Sequence, residues 1–146
     1  AVHAASLERP VRLMIALEMI GYYDSTPGSQ DYPYPAMTWL YPDLGDFIAV
    51  VGRMQDINAV RQLKAALLSS QDLSVYSMNA PGFIPGIDFS DHLNYWQHDI
   101  PAVMITDTAF YRNKQYHLPG DTADRLNYQK MAQVVDGVIT LLQNSK

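Results

Sequence analysis

Four short stretches hold the side chains that could do chemistry. Between Val11 and Tyr23 the segment Leu13 to Ile20 is apolar except for one carboxylate, Glu18. Phe89 to His92 reads Phe-Ser-Asp-His, and Tyr116 to Thr122 reads Tyr-His-Leu-Pro-Gly-Asp-Thr. Phe110-Tyr111-Arg112 sets two aromatic rings beside a guanidinium. A lone carboxylate in an apolar strand is expensive and must be neutral, paired or bound to a metal. Glu18 either sits just past the core, bonded to backbone amides or a tyrosine, or has a functional role. Ser90-Asp91 is also ordinary chemistry for a helix start. A histidine before a Pro-Gly turn is also an ordinary loop residue, and Phe110 to Arg112 could line a pocket or simply cover a loop. There is no Gly-rich phosphate loop, no Gly-x-Ser-x-Gly elbow and no His-Glu-x-x-His helix.

The elements that must position these groups follow from periodicity. The Glu18 run reads as a strand buried on both faces, ending at Gly21. A loop of about twenty residues, Asp24 to Pro42, follows; loops of that length are usually functional or lid-like, or are packed by their own aromatic side chains. Phe47 to Gly52 is a second buried strand. Asp56 is placed to cap a helix with Ile57, Val60, Leu63 and Leu67 on one face. Asp72 to Met78 is a weaker strand, and Asn79 to Phe89 is another Gly/Pro-rich loop. Ser90 is expected to cap a short helix, Asp91 to His98, that packs Leu93 and Trp96. Ala102 to Thr106 is a further buried strand, and Asp107 to Leu126 is irregular. Asn127 caps a closing helix with Met131, Val134, Val135, Val138 and Leu142 at helical spacing. Strands alternating with helices predict an α/β fold with a mixed, largely parallel sheet flanked by helices. Polar clusters at strand ends can converge on one edge of such a sheet.

The 146 residues suit one α/β unit, and at this size a substantial core is possible. With 48% hydrophobic and 17% charged residues, a net charge of −5 and no basic stripe, nucleic acid and membrane surfaces are not expected partners. The absence of cysteine removes disulfides and thiolate metal sites without fixing a compartment. No apolar run is long enough to span a bilayer. Ala1 to Arg9 reads as the tail of a helix stopped by Pro10, and the chain lacks an initiator methionine, which suggests a fragment or processed product.

Taken in order, the motifs resemble the C-terminal part of the zinc-dependent exopeptidases of the aminopeptidase type, the family of bacterial leucyl aminopeptidases and glutaminyl cyclases. That resemblance rests on Leu17-Glu18-Met19-Ile20-Gly21-Tyr22, Ser90-Asp91-His92-Leu93-Asn94-Tyr95, Pro101-Ala102-Val103-Met104 and His117-Leu118-Pro119-Gly120-Asp121-Thr122, followed by Leu126-Asn127-Tyr128 and an apolar helix. It covers nearly the whole chain, and it is the order of four individually weak motifs that gives it weight. It implies a phosphorylase/hydrolase-like zinc-peptidase fold and a peptide substrate. It also implies two zinc ions sharing a water, which polarise the scissile carbonyl. By the same resemblance Glu18 ligates one zinc and His117 the other, Asp91 orients ligands by hydrogen bonds, and Tyr111, Arg112 and Tyr116 border the substrate pocket.

The sequence also departs from that pattern. The family needs an earlier His-x-Asp, a bridging aspartate and a Glu-Glu pair that supplies the general base. This chain has only Glu8 and Glu18 as glutamates, no two adjacent acidic residues, and His3 lacks the motif. The catalytic base is therefore not in these residues, and the expectation is the C-terminal part of a larger catalytic domain, inactive and poor in zinc by itself. A glutaminyl-cyclase-like cyclotransferase and a non-catalytic binding module that keeps the fold are the alternatives. An unpaired strand edge is expected to recruit a second copy of the chain.

Overall fold

A computed structural model of the chain describes residues 1–6, 10–69, 72–82 and 84–144. Among them four strands, β1 (Met14–Glu18), β2 (Ile48–Gly52), β3 (Val75–Asn79) and β4 (Ala102–Thr106), form one sheet in the order β1-β4-β2-β3. β4 runs parallel to β1, with Thr106 opposite Glu18, and antiparallel to β2, which is parallel to β3. The mixed, largely parallel sheet is the one the alternation of elements predicts. No helix among the described residues is long and apolar enough to cross a membrane.

The period-2 alternation of the central strands feeds two packed layers. On one face Val50, Val103 and Ile105 meet helices α2 (Ile57–Leu67) and α4 (Tyr128–Asn144) through Val60, Leu63, Leu67, Val134 and Leu141. On the other face Ala16, Val51, Ala102 and Met104 pack with Ile87 and with Trp96 of the short helix α3 (His92–Trp96). Trp96 is pinned there by its indole N–H, which donates to the Ala102 carbonyl at 2.9 Å.

Several expectations shift by position. β4 is buried along its whole length, whereas β1 has only Ala16 fully buried and Leu17 is 49% exposed. The two apolar runs look alike in sequence, but β4 lies between two strands and β1 is an edge of this sheet. Asp56 stands before α2, yet its carboxylate makes no cap; it accepts from Arg53 Nε at 2.8 Å. No side chain caps α3, which begins after Asp91 rather than on a Ser90 cap. Asn127 does cap α4, accepting from the Lys130 amide at 3.0 Å. On α4 the buried positions are Val134, Gly137 and Leu141, with Val138 packed beside them, while Val135 and Leu142 face outward. The expected face is thus rotated by about one residue. The helical reading of the N-terminus holds at Val2–Ala5, labelled α1; Glu8 and Arg9, with Leu7, lie outside the described residues.

α2 and α4 touch at a glycine. A Cβ at Gly137 would stand 2.6 Å from Leu67 Cδ2 and 2.9 Å from Leu67 Cα, so a methyl group must push the helices apart. Gly137→Ala is expected to destabilise the fold by about 1–3 kcal/mol, the usual cost of overpacking. Gly82→Ala, where a Cβ would meet nothing within 4 Å, should stay within about 0.5 kcal/mol. Urea unfolding of the two variants beside the parent chain checks both values.

Candidate active site

Because β1 and β4 are parallel neighbours, both chains leave the sheet at the same edge. Glu18 is the last residue of β1, and β4 runs through Thr106 into Asp107. The Asp107 amide donates to Met19 O at 2.6 Å, extending the pairing one step past the strands. Met19, Thr108 and Ala109 all take left-handed backbone (φ 53°, 74° and 48°), a strained path for residues with a Cβ. What holds it is the Asp107 carboxylate. Its Oδ2 accepts from the amides of Gly21 (3.1 Å) and Tyr22 (2.8 Å), and its Oδ1 accepts from Ala109 (2.9 Å). Asp107 is fully buried. Burial pushes its carboxyl up to about 6, against the opposing pull of those three amides and the Arg112 guanidinium. Here desolvation outweighs hydrogen bonding.

Arg112 is the second buried anchor. Its Nε donates to Gln30 Oε1 at 2.9 Å, and its Nη1 donates to the carbonyls of Tyr22 (3.0 Å) and Phe47 (2.9 Å). Its guanidinium lies 4.5 Å from the centre of the Phe47 ring, and burial lowers its pKa. It thereby draws the Asp24–Pro42 excursion onto the strand ends. Arg112, expected to border a substrate pocket, is 3% exposed and is not among the residues that line the cavity beside it.

Above these anchors opens a cavity of about 870 Å³, counting its open mouth. Its floor is Ala49, Val51 and Met104; Tyr32 and Tyr41 of the excursion form one wall, and Ile84 to Ile87 another. Three of the lining tyrosines spend their hydroxyls on backbone carbonyls. Tyr32 donates to Pro42 O (2.6 Å), Tyr41 to Ser77 O (3.2 Å) and Tyr111 to Pro85 O (3.4 Å). Ring carbon is left to line the space, which makes the cavity predominantly apolar.

Glu18, Tyr111 and Tyr116 line this cavity together. His117, exposed and in left-handed backbone (φ 57°), stacks on Tyr116 with ring centres 3.9 Å apart and planes 15° from parallel. Asp91 is exposed ahead of α3. Its neighbour His92 is fully buried, edge-on to Trp96, with Nε2 2.6 Å from Ile87 O. Burial lowers the His92 pKa, so the ring is neutral and Nε2–H donates, leaving Nδ1 without a partner. Asp88, Glu18 and Asp91 all lie near enough to act on its charge. Glu18 and Tyr116 thus meet at one cavity, with His117 stacked on Tyr116, while Asp91 is linked to Glu18 only through their common effect on His92.

The donor types of Glu18 and His117 suit zinc, but their number does not. Among the described residues no group of three or more His, Cys, Asp or Glu side chains is gathered around one point. A catalytic zinc needs three protein ligands, and among the described residues Glu18 and His117 belong to no such set. Sequence reasoning missed Asp107, Gln30 and the buried role of His92. Asp107 carried a legible signal: like Glu18, it is a carboxylate at the end of an apolar strand.

The sequence pattern of peptidase family M28 matches residues 2–142. The uncharacterized protein YfbL of Escherichia coli (strain K12) is 93% identical over all 146 residues, and the chain spans 45% of that relative's length. Among solved structures, the LapA aminopeptidase of Legionella pneumophila superposes with a TM-score of 0.62 at 21% identity, over 90% of this chain and 30% of its own. At that identity the likeness is one of fold.

The environment of Asp107 makes two outcomes measurable. Asp107→Ala strands three amides at the strand exits and should cost on the order of 2–4 kcal/mol. The pH effect has a definite sign. The folded-state pKa of about 6 lies above the ordinary 3.8, so this group's stabilisation is complete below 3.8 and is lost as pH rises through 6. The stability difference, Asp107→Asn minus parent, should therefore grow with pH across that window, by at most about 1.4 kcal/mol per pH unit. Urea unfolding at a series of pH values reads it; a flat difference would contradict a protonatable buried carboxylate.

Proposed function

The chain belongs to peptidase family M28, and from that membership we propose that it is part of a zinc-dependent exopeptidase of the aminopeptidase type, acting on peptides. The observation that carries this reading is the apolar cavity at the C-terminal edge of β1 and β4, with Glu18 on its lining and the Tyr116–His117 stack beside it. A carboxylate and an imidazole flanking a pocket of ring and methyl carbon suit a substrate with an apolar side chain next to a polar reacting group. In this reading Glu18 and His117 each offer one metal ligand, Asp91 orients the polar groups at the mouth, and Tyr111 and Tyr116 border the bound side chain. Arg112 and Asp107 act from below, holding the strand exits and the excursion in place.

The remaining ligands and the general base would come from outside these 146 residues, in a protein of the length of the curated relative. In this reading the chain's own residues bind and orient, and Glu18 and His117 supply part of the metal site.

Two measurements test this. Calorimetric zinc titration of the 146-residue chain should give weak binding, and an aminoacyl-anilide assay of the same chain should give no turnover. The longer relative should hydrolyse the anilide and lose about 100-fold or more when Glu18→Ala or His117→Ala is introduced at the matching position. Hydrolysis by the short chain alone would overturn the reading, because it would mean a site built from other residues.

A further inference from the structure

The two candidate ligands come from separate parts of the chain: Glu18 of β1 lines the cavity, and His117, in the long segment after β4, stacks on the lining residue Tyr116. Something must fix one against the other, and a hydrogen-bonded relay joins the segments that carry them, from Tyr22 beyond the end of β1 to the His117 amide. It starts at Tyr22, whose amide is held by Asp107 at 2.8 Å. The Tyr22 hydroxyl accepts from Arg125 Nη2 at 3.1 Å, and the guanidinium also lies 4.7 Å from the centre of the Tyr22 ring. Arg125 Nη1 donates to Asn113 Oδ1 (2.9 Å) and to the Gly120 carbonyl (3.1 Å).

Asn113 is 1% exposed and is the hub of the relay. Its Oδ1 also accepts from the Gln115 amide (3.0 Å), closing the turn that carries Tyr116 and His117. Its Nδ2 donates to Asp121 Oδ1 at 2.8 Å, and Asp121 Oδ2 accepts, at 3.4 Å, from the amide of His117 itself. That last bond is long, yet it falls on the residue whose backbone is left-handed and which therefore needs support from its surroundings.

We propose that Arg125 is a positioning residue: it touches neither Glu18 nor His117, and it locks the loop carrying His117 to the strand exit carrying Glu18. The planar fork of the guanidinium serves both sides at once, one nitrogen on the strand exit and the other on the loop. An ammonium on a flexible stem does not reproduce that geometry. The inference rests on the reading of Glu18 and His117 as a pair of ligands, but the lock itself is a property of this chain without metal.

Nuclear magnetic resonance of the 146-residue chain tests the lock directly. In Arg125→Ala the His117 ring signals should lose the shift produced by stacking on Tyr116. The amides of Tyr116, Leu118 and Asp121 should exchange about tenfold faster or more, while those of β4 keep their rates. Added guanidinium should restore the His117 signals in part, and Arg125→Lys should not restore them, outcomes that a loose contribution to overall stability would not produce. Tyr22→Leu removes the whole leg to the strand exit, hydroxyl and ring together, and should move His117 as well. If Arg125→Ala does not fold, Tyr22→Leu decides the matter. Unmoved His117 signals in Tyr22→Leu overturn the proposal, since Arg125 would then serve its own loop alone. In the longer relative Arg125→Ala should lower kcat on the anilide about tenfold or more with little change in KM. A wild-type relative without turnover would count against the peptidase reading and leave the resonance result standing on its own.

Discussion

The buried carboxylate of Asp107 is the constraint from which the rest of this site follows. Two parallel strands that end side by side have no further ladder to hold their exits together, and here both exits pass through strained left-handed residues. Asp107 spans that gap by accepting from Gly21 and Tyr22 on one chain and Ala109 on the other. Once the exits are fixed, Arg112 falls where it can reach Tyr22, Phe47 and Gln30 together. The approach is tight: a Cβ at Gly45 would stand 2.7 Å from Arg112 Cδ, so only glycine leaves room for the side chain to pass.

The same pair of anchors explains how a small sheet supports a large excursion. With Gln30 tied to Arg112 and Thr108, and Asp24 bridged to Gly45, the segment between them is pinned at both ends. Its tyrosines then turn back over the sheet. Tyr41 bonds Ser77 of the edge strand β3, and its ring packs on Tyr76, so this edge is covered by the wall of the cavity. A strand edge left bare invites pairing with another chain. In this fold the pocket wall and the edge protection are one element. The opposite edge, β1, has no such cover among the described residues and keeps Leu17 half exposed.

Much of this was legible in the sequence, and the failures have physical causes. Strand and helix type follow from local periodicity, which is why β2, β4, α2 and α4 lie where their apolar spacing puts them. Sheet order is not a local property. Val11–Tyr23 and Ala102–Thr106 have the same apolar character, yet one is an edge and the other the centre, because burial depends on neighbours far away in the chain. The Asn127 cap formed, but the Asp56 cap failed for a related reason: Asp56 found a better partner in Arg53 than in its own helix. At the site, Glu18, Tyr111 and Tyr116 could be picked out by residue type and place. The role of Arg112 could not, since a guanidinium reads as a surface or ligand group until three oxygens are seen to surround it. Asn113 and Arg125 lie in the stretch read only as irregular, and the bond that gives Arg125 its reach, to Tyr22, joins residues 103 apart in sequence.

Glu18 and Asp107 allow one last comparison, because they occupy nearly the same station on adjacent parallel strands. Each is a carboxylate at the end of an apolar run, and each must offset the loss of water around its charge. Asp107 does so with three amide hydrogen bonds and is still pushed toward the neutral form. All of its capacity goes into structure. The Glu18 carboxylate takes part in no hydrogen bond or ion pair among the described residues and is only half buried, at the lining of an apolar cavity. Its oxygens remain available to whatever enters. Of two carboxylates one register step apart, the fully buried one anchors the strand exits and the half-buried one keeps its lone pairs free of protein donors among the described residues. Under the proposed reading this is why Glu18 rather than Asp107 would hold a cation: an oxygen committed to backbone amides could not also serve a metal.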